Sequence, residues 1–99
     1  MSLAHYSTIE EIEADHRSTG GQFFDAASKR FFRSRIGQIV IGGRFFITSE
    51  QFDHRSARLY TIRECRNGKI ETVGEFQAYA TGAAARAAAK NLATWEAAA

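Results

Sequence analysis

RLYTIRECRNGKIETVGEF, residues Arg58 to Phe76, is the segment from which an antiparallel sheet can be inferred. Asn67-Gly68 is the dipeptide of a type I′ turn, the two-residue connection whose twist matches that of the strands it joins. On either side, Arg58 to Arg66 and Lys69 to Phe76 are rich in β-branched and aromatic side chains, which pack well on a pleated surface. A two-residue turn sets Arg66 opposite Lys69. The same register places Ile62 opposite Val73, Tyr60 opposite Glu75 and Leu59 opposite Phe76. Both faces of this hairpin hold apolar groups, so the pattern leaves open which face is buried.

Upstream, Gln38 to Ile41 and Arg44 to Ser49 flank the glycine pair Gly42-Gly43 and read as two further strands around a turn. Before them the period is helical. Ser7 followed by Glu10 has the spacing of a capping box, and Ile9 and Ile12 supply an apolar stripe, which predicts a first helix over about residues 8–18 stopped by Gly20-Gly21. Asp25 is a good N-cap for a second short helix over Ala26 to Ser34, where Ala27 and Phe31, or Phe32 and Ile36, recur at i, i+4. Downstream, Thr81 caps a helix from Gly82 to about Ala97. Twelve of the last twenty-two residues are Ala, the strongest helix former. Ala85, Ala88, Ala89 and Leu92 make a small-residue stripe that lets this helix lie close on a sheet, with Arg86 and Lys90 opposite and Trp95 as an anchor. The same stripe admits a homodimer.

The expected fold is therefore α+β: a three- or four-stranded antiparallel sheet packed by a C-terminal Ala-rich helix, with two short N-terminal helices. Ninety-nine residues fit one domain, with residues 1–20 as N-terminal helix and lead-in and residues 21–99 as main body. At 44% hydrophobic and 24% charged the chain has ordinary globular composition, which disfavours disorder. No apolar run approaches the roughly 20 residues of a membrane span, and residues 1–20 lack an export signal. Cys65 is the lone cysteine, so no internal disulfide forms, in keeping with a reducing cytosol.

Charge is segregated along the chain. Residues 1–28 hold Glu10, Glu11, Glu13, Asp15 and Asp25 against Arg17, whereas residues 29–66 hold nine bases against Glu50, Asp53 and Glu64. Ten of the thirteen bases are Arg, the side chain that grips carboxylate or phosphate through paired hydrogen bonds. Either the N-terminal acids fold back and neutralise the arginines, or a basic surface awaits a partner. Lys29, Arg30 and Arg33 crowd one side of the second helix and repel one another without an anion. Lys29-Arg30-Phe31-Phe32-Arg33-Ser34-Arg35 also interleaves bases with aromatics, as nucleic-acid platforms do, although at least one of the phenylalanines is expected in the core.

Catalytic candidates are few. Cys65 beside the turn is expected to fill space against Ile70, and the pairs Asp15-His16 and Asp53-His54 are sequence neighbours that do not face each other. One Cys and three scattered His offer no zinc spacing, and the glycine pairs lack phosphate-loop spacing. No catalytic residue, metal site or cofactor is expected.

Two resemblances bear on function. Residues 44–97, with Gly74-Glu75-Phe76 leading into Thr81 to Leu92 and the run Ala85-Arg86-Ala87-Ala88-Ala89-Lys90, resemble the double-stranded RNA-binding domain. That family grips phosphates with a lysine pair inside the helix N-terminus; here those positions are Gly82 and Ala83, leaving Arg86 and Lys90 as the nucleic-acid-binding candidates. Residues 20–93 are similar to small phage and prophage proteins, through Arg30 to Ile36, Phe46 to Phe52, Arg58 to Arg63 and Glu71 to Gln77. This resemblance implies a phage-type accessory protein in the host cytosol that binds and inhibits a host protein or ribonucleoprotein complex, anti-CRISPR inhibitors being the best-known example of small phage proteins that act in this way. The expected partner-binding residues are Lys29, Arg30, Arg33, Arg35, Arg55 and Arg58, with exposed aromatics as anchors. The alternative acidic face is Glu10, Glu11, Glu13 and Asp15. The alternative function is a nucleic-acid-binding module using the same Arg-rich segment.

Overall fold

A computed structural model describes residues 5–31 and 33–98, with the side chains of Phe31 and residues 96–98 outside that description. In chain order the elements are α1 (Ile9–Ser18), α2 (Ala26–Phe31), β1 (Arg35–Ile36), β2 (Phe45–Glu50), β3 (Leu59–Arg66), β4 (Lys69–Val73) and α3 (Gly82–Ala98). The strands form one antiparallel sheet in the order β1-β2-β3-β4. The α+β architecture read from the sequence is the one observed.

The question of which hairpin face is buried resolves as both. On one face Phe46 and Cys65 pack with Tyr6, Ile9, Ile12 and Phe24, bringing in α1 and the segment after it. On the other, Phe45, Ile47 and Ile62 pack with Ile41 and with Ala85 and Ala89 of α3. Ala85 and Ala89 are fully buried, so the small-residue stripe seats α3 on the sheet. Trp95, expected as an anchor, is instead 74% exposed, because the helix outruns the apolar part of the sheet.

The turn forms as read, with Arg66 opposite Lys69 and Ile62 opposite Val73. Asn67 (φ 53) and Gly68 (φ 81) both take the left-handed conformation of a type I′ turn. This turn is tucked against α1. His16 Nδ1 donates to the Gly68 carbonyl (2.6 Å), since its Nε2 accepts from Phe23 N–H (3.1 Å), and Gly68 N–H donates to Tyr6 Oη (3.2 Å).

Four local expectations are corrected. The capping box is Thr8 with Glu11, each closing on the other's backbone N–H at 3.2 Å; this frame turns Ile9 and Ile12 inward. The pairing of Tyr60 with Glu75 and Leu59 with Phe76 does not form. Gly74 and Gln77 adopt positive φ, the chain loops out after Val73, and Tyr60 bridges Tyr79 instead. Gln38 to Ile41 is no strand: only Ile41 bridges Phe45, over the left-handed Gly42-Gly43 pair. The fourth strand is Arg35–Ile36, paired with Ser49 and Thr48.

The second helix stops at Phe31 rather than Ser34. Ser34 N–H reaches back to the Lys29 carbonyl (2.8 Å) and Arg33 N–H to the Arg30 carbonyl (3.2 Å), the paired bonds of a Schellman C-cap. Arg33, at φ 51, occupies the left-handed position where such caps favour glycine. The expectation that Phe31 or Phe32 enters the core concerns side chains outside the described set.

Candidate binding surface

The described arginines divide into two populations. Arg17 pairs with Glu13 (2.8 Å), Arg44 and Arg66 share Glu64 (2.7 and 3.2 Å), and Arg63 pairs with Glu50 (2.9 Å). Lys29, Arg30, Arg33, Arg35, Arg55, Arg58, Arg86 and Lys90 have no ion pair among the described residues. None of the ion pairs seen among the described residues joins an N-terminal acid to the basic middle of the chain. Of these acids, Glu10 is exposed, Glu11 closes the capping box and Glu13 holds Arg17. Asp15 is a correction to the proposed acidic face: it is buried and accepts the Tyr6 hydroxyl at 2.5 Å.

Arg58 organises the basic group. Its Nη1 donates to the Arg33 carbonyl (2.9 Å) and to the carbonyl and Oγ of buried Ser49 (both 3.0 Å). Ser49 is the Cα partner of Arg35 on one side and of Tyr60 on the other, so Arg35, Ser49 and Tyr60 share the face covered by α3. Burial, followed by the like charge of Arg35 and, more weakly, that of Arg33, pushes the Arg58 guanidinium below its ordinary value, with Tyr60 and Glu50 opposing the shift.

Arg86 enters the same neighbourhood from α3. A Cβ built on Gly82 would lie 3.0 Å from Arg86 Nη1 and 3.3 Å from the Tyr60 ring, so this guanidinium folds back over the first turn of α3 toward Tyr60. Lys90 lies one turn further along α3, beside Ile41, Gly42 and Ala93 in a shallow hollow. Lys29 and Arg30 remain on α2, the former half-buried and the latter exposed.

The loop between β2 and β3 is braced. Asp53 accepts from Arg55 N–H (2.8 Å), Ser56 N–H (2.9 Å) and Ser56 Oγ (3.1 Å), and Gln51 Nε2 donates to the Ser56 carbonyl (2.8 Å). These donors, Arg55 N–H first, hold the Asp53 carboxyl below its usual range. The loop presents Arg55 to solvent and holds Phe52 89% exposed.

The opposite face carries a polar network that sequence reading missed. Glu50, 2% exposed, accepts from Thr48 Oγ1 (2.6 Å), Thr61 Oγ1 (3.0 Å) and Arg63 Nη2 (2.9 Å). Arg63 also donates to Thr48 and Thr72 and lies over the rings of Phe23 and Phe76. It contributes to a cavity of about 580 Å³ with Phe23, Ile70 and Phe76 among its walls. The alternation Thr48, Glu50 and Thr61, Arg63 was the available signal, legible only once β2 and β3 are paired.

The nucleophile candidate has a packing environment. Cys65 faces Ile70 and is buried, and burial pushes its thiol up, away from the thiolate that reacts. His16 spends both ring nitrogens on backbone partners. No group of three or more His, Cys, Asp or Glu that could hold a metal occurs among the described residues. Nor is any helix there long and apolar enough to cross a membrane.

The fold and surface define a small α+β domain with a sheet covered on both faces and, at its β1 edge, a group of arginines without ion pairs among the described residues. The chain belongs to the family of unknown function DUF7447, whose model matches residues 8–90, a span that includes every arginine of that edge. No match was found among curated proteins or solved structures.

Proposed function

We propose that the protein is a non-catalytic binding module that docks on a macromolecular complex through Arg30, Arg33, Arg35, Arg55 and Arg58. The observation that carries this reading is the division of the arginines: among the described residues Arg17, Arg44, Arg63 and Arg66 each have a carboxylate, whereas those at the β1 edge, like Arg86 of α3, have no ion pair. Arg33 adds support. Its place in the cap is one where glycine relaxes the backbone, and strain of this kind collects at functional positions. Arginine and exposed aromatics such as Phe52 are the side chains that dominate interface energetics. In the phage setting that the sequence resemblance implies, the target is a host protein or ribonucleoprotein complex, and inhibition follows from occupying it, an anti-CRISPR protein being the specific form.

The test is crosslinked affinity capture from bacterial lysate. It compares the native chain with Arg30→Glu/Arg33→Glu/Arg55→Glu and with Glu10→Lys/Glu13→Lys. A defined complex lost with the first variant and retained with the second supports the reading. Loss with the second and retention with the first moves function to the acidic face and refutes it.

A further inference from the structure

We infer that the basic edge is a binding site for the phosphodiester backbone of single-stranded nucleic acid, and that Arg86 of α3 belongs to it. This deepens the docking reading, on which it rests, by naming the chemistry of the surface recognised.

The argument begins with strand order. β1, β2 and β3 are neighbours, so Arg35, Ser49 and Tyr60 form one row across the sheet. Arg58 lies on Ser49 within that row and bonds the Arg33 carbonyl. The row ends at Tyr60, where Arg86 folds over Gly82. Four arginines from three parts of the chain thus lie along one row, with Arg33, Arg35 and Arg58 at its β1 side and Arg86 at its Tyr60 end beside the first turn of α3. The first turn of that helix carries no acidic residue, so its exposed N–H groups add to the positive potential rather than being offset.

Glu50 acts on Arg58 but is spent on Arg63, Thr48 and Thr61, and the other acid that acts here is Asp53. Arg33 acts on it electrostatically, yet its oxygen is engaged by the loop's own donors. Such crowding is relieved by a ligand of high and regularly spaced negative charge. A nucleic-acid strand supplies one phosphate per nucleotide and exchanges its condensed counterions for guanidinium, whereas the acids of a protein surface are fewer and interspersed with bases. Phe52 favours a single strand. The braced loop holds its ring out of the protein, and a lone projecting ring stacks on an unpaired base.

The experiment is fluorescence anisotropy with a labelled oligouridylate of about 15 nucleotides, near the upper site size of one single-strand-binding domain, and with labelled poly-L-glutamate, at several salt concentrations. Four phosphate contacts on a single strand give a slope of log K against log salt of about −3, and Arg86→Ala reduces it by about 0.7. Phe52→Ala weakens oligouridylate binding about tenfold at constant slope. Lys69→Ala, at the turn between β3 and β4, leaves both quantities unchanged. Equal slope losses for Arg86→Ala and Lys69→Ala overturn the site by showing diffuse attraction. Binding of poly-L-glutamate without oligouridylate overturns the phosphodiester assignment and leaves basic docking standing. Binding of neither polymer overturns the phosphodiester assignment, and loss of the captured complex with the triple-arginine variant then decides separately whether docking stands.

Discussion

Replacing Arg33 with glycine separates what this residue does for the fold from what it does for a partner. At φ 51 an L-residue incurs roughly 1–2 kcal/mol that glycine does not. Glycine in turn loses more chain entropy on folding, about 0.5–1 kcal/mol. Comparison with Arg33→Ala isolates the backbone effect, since both variants remove the charge beside Arg58 and the electrostatic effect on Asp53. The Arg30 and Lys29 carbonyls keep their backbone donors in either variant. Arg33→Gly is therefore expected to exceed Arg33→Ala in stability by about 1 kcal/mol, which is about 0.5 M in urea midpoint or about 4–8 °C in Tm. Far-UV circular dichroism is the suitable readout because Trp95, the single tryptophan, is largely exposed and insensitive to unfolding. Both variants should lose partner binding equally. Coincident midpoints, or a less stable glycine variant, would falsify the claim that this position carries strain.

Glu50→Ala leaves Arg63 and two threonine hydroxyls facing a buried gap, with an expected loss of about 3–5 kcal/mol, a large share of the roughly 5–15 kcal/mol of an ordinary domain. Glu50→Gln keeps the shape and should cost less, and a urea midpoint for Glu50→Ala within about 1 kcal/mol of native would contradict the network. Gly68→Ala puts a methyl group 2.6 Å from Thr19 Cγ2 and 2.9 Å from the Asp15 carbonyl, whereas Gly74→Ala at φ 75 meets nothing within 4 Å. The second should cost about 1–2 kcal/mol and the first clearly more, by the same melts. The Asp53 carboxyl is lowered from 3.8, so the stability it adds is complete above that value and disappears as pH falls through the lower folded value. The stability difference between the native chain and Asp53→Asn should be flat near neutrality and shrink only in that acid window; a change centred near neutral pH would be inconsistent. Cys65 should resist alkylation by iodoacetamide at neutral pH until urea unfolds the chain, because its thiol is buried and raised; mass spectrometry reads this directly.

What was legible in the sequence was what local chemistry specifies. Asn67-Gly68 set the hairpin register as far as Ile62 and Val73, and Thr81 with the alanine stripe set α3. The register failed beyond Val73 because Gly74 and Gln77 turn the chain away with positive φ, a departure that a residue such as Gln77 does not announce. The two-residue strand Arg35–Ile36 was hidden for a different reason. Its pairing depends on β2, and the more apolar run Gln38 to Ile41 offered a stronger pattern to the eye, although Ile39 remains 59% exposed. The basic surface was visible as a surplus of arginine between residues 29 and 66. Its alignment with Arg86 was not, because that juxtaposition requires both the strand order and the placement of α3 over Tyr60.

The two edges of the sheet show why this arginine group exceeds what the fold itself needs. Edge strands require charge to discourage pairing with other chains. At the β4 edge this need is met by Lys69 and Glu71, one of each sign, both exposed. At the β1 edge, where the strand is only two residues long, little backbone is open to pairing, and one charge such as Arg35 suffices for protection. Arg33 and Arg58 gather beside it nonetheless, against the mutual repulsion of Arg33, Arg35 and Arg58 and, for Arg33, against its preferred backbone conformation. An arrangement that opposes both electrostatics and backbone preference is more than edge protection requires, and it is the feature on which the proposed docking role rests.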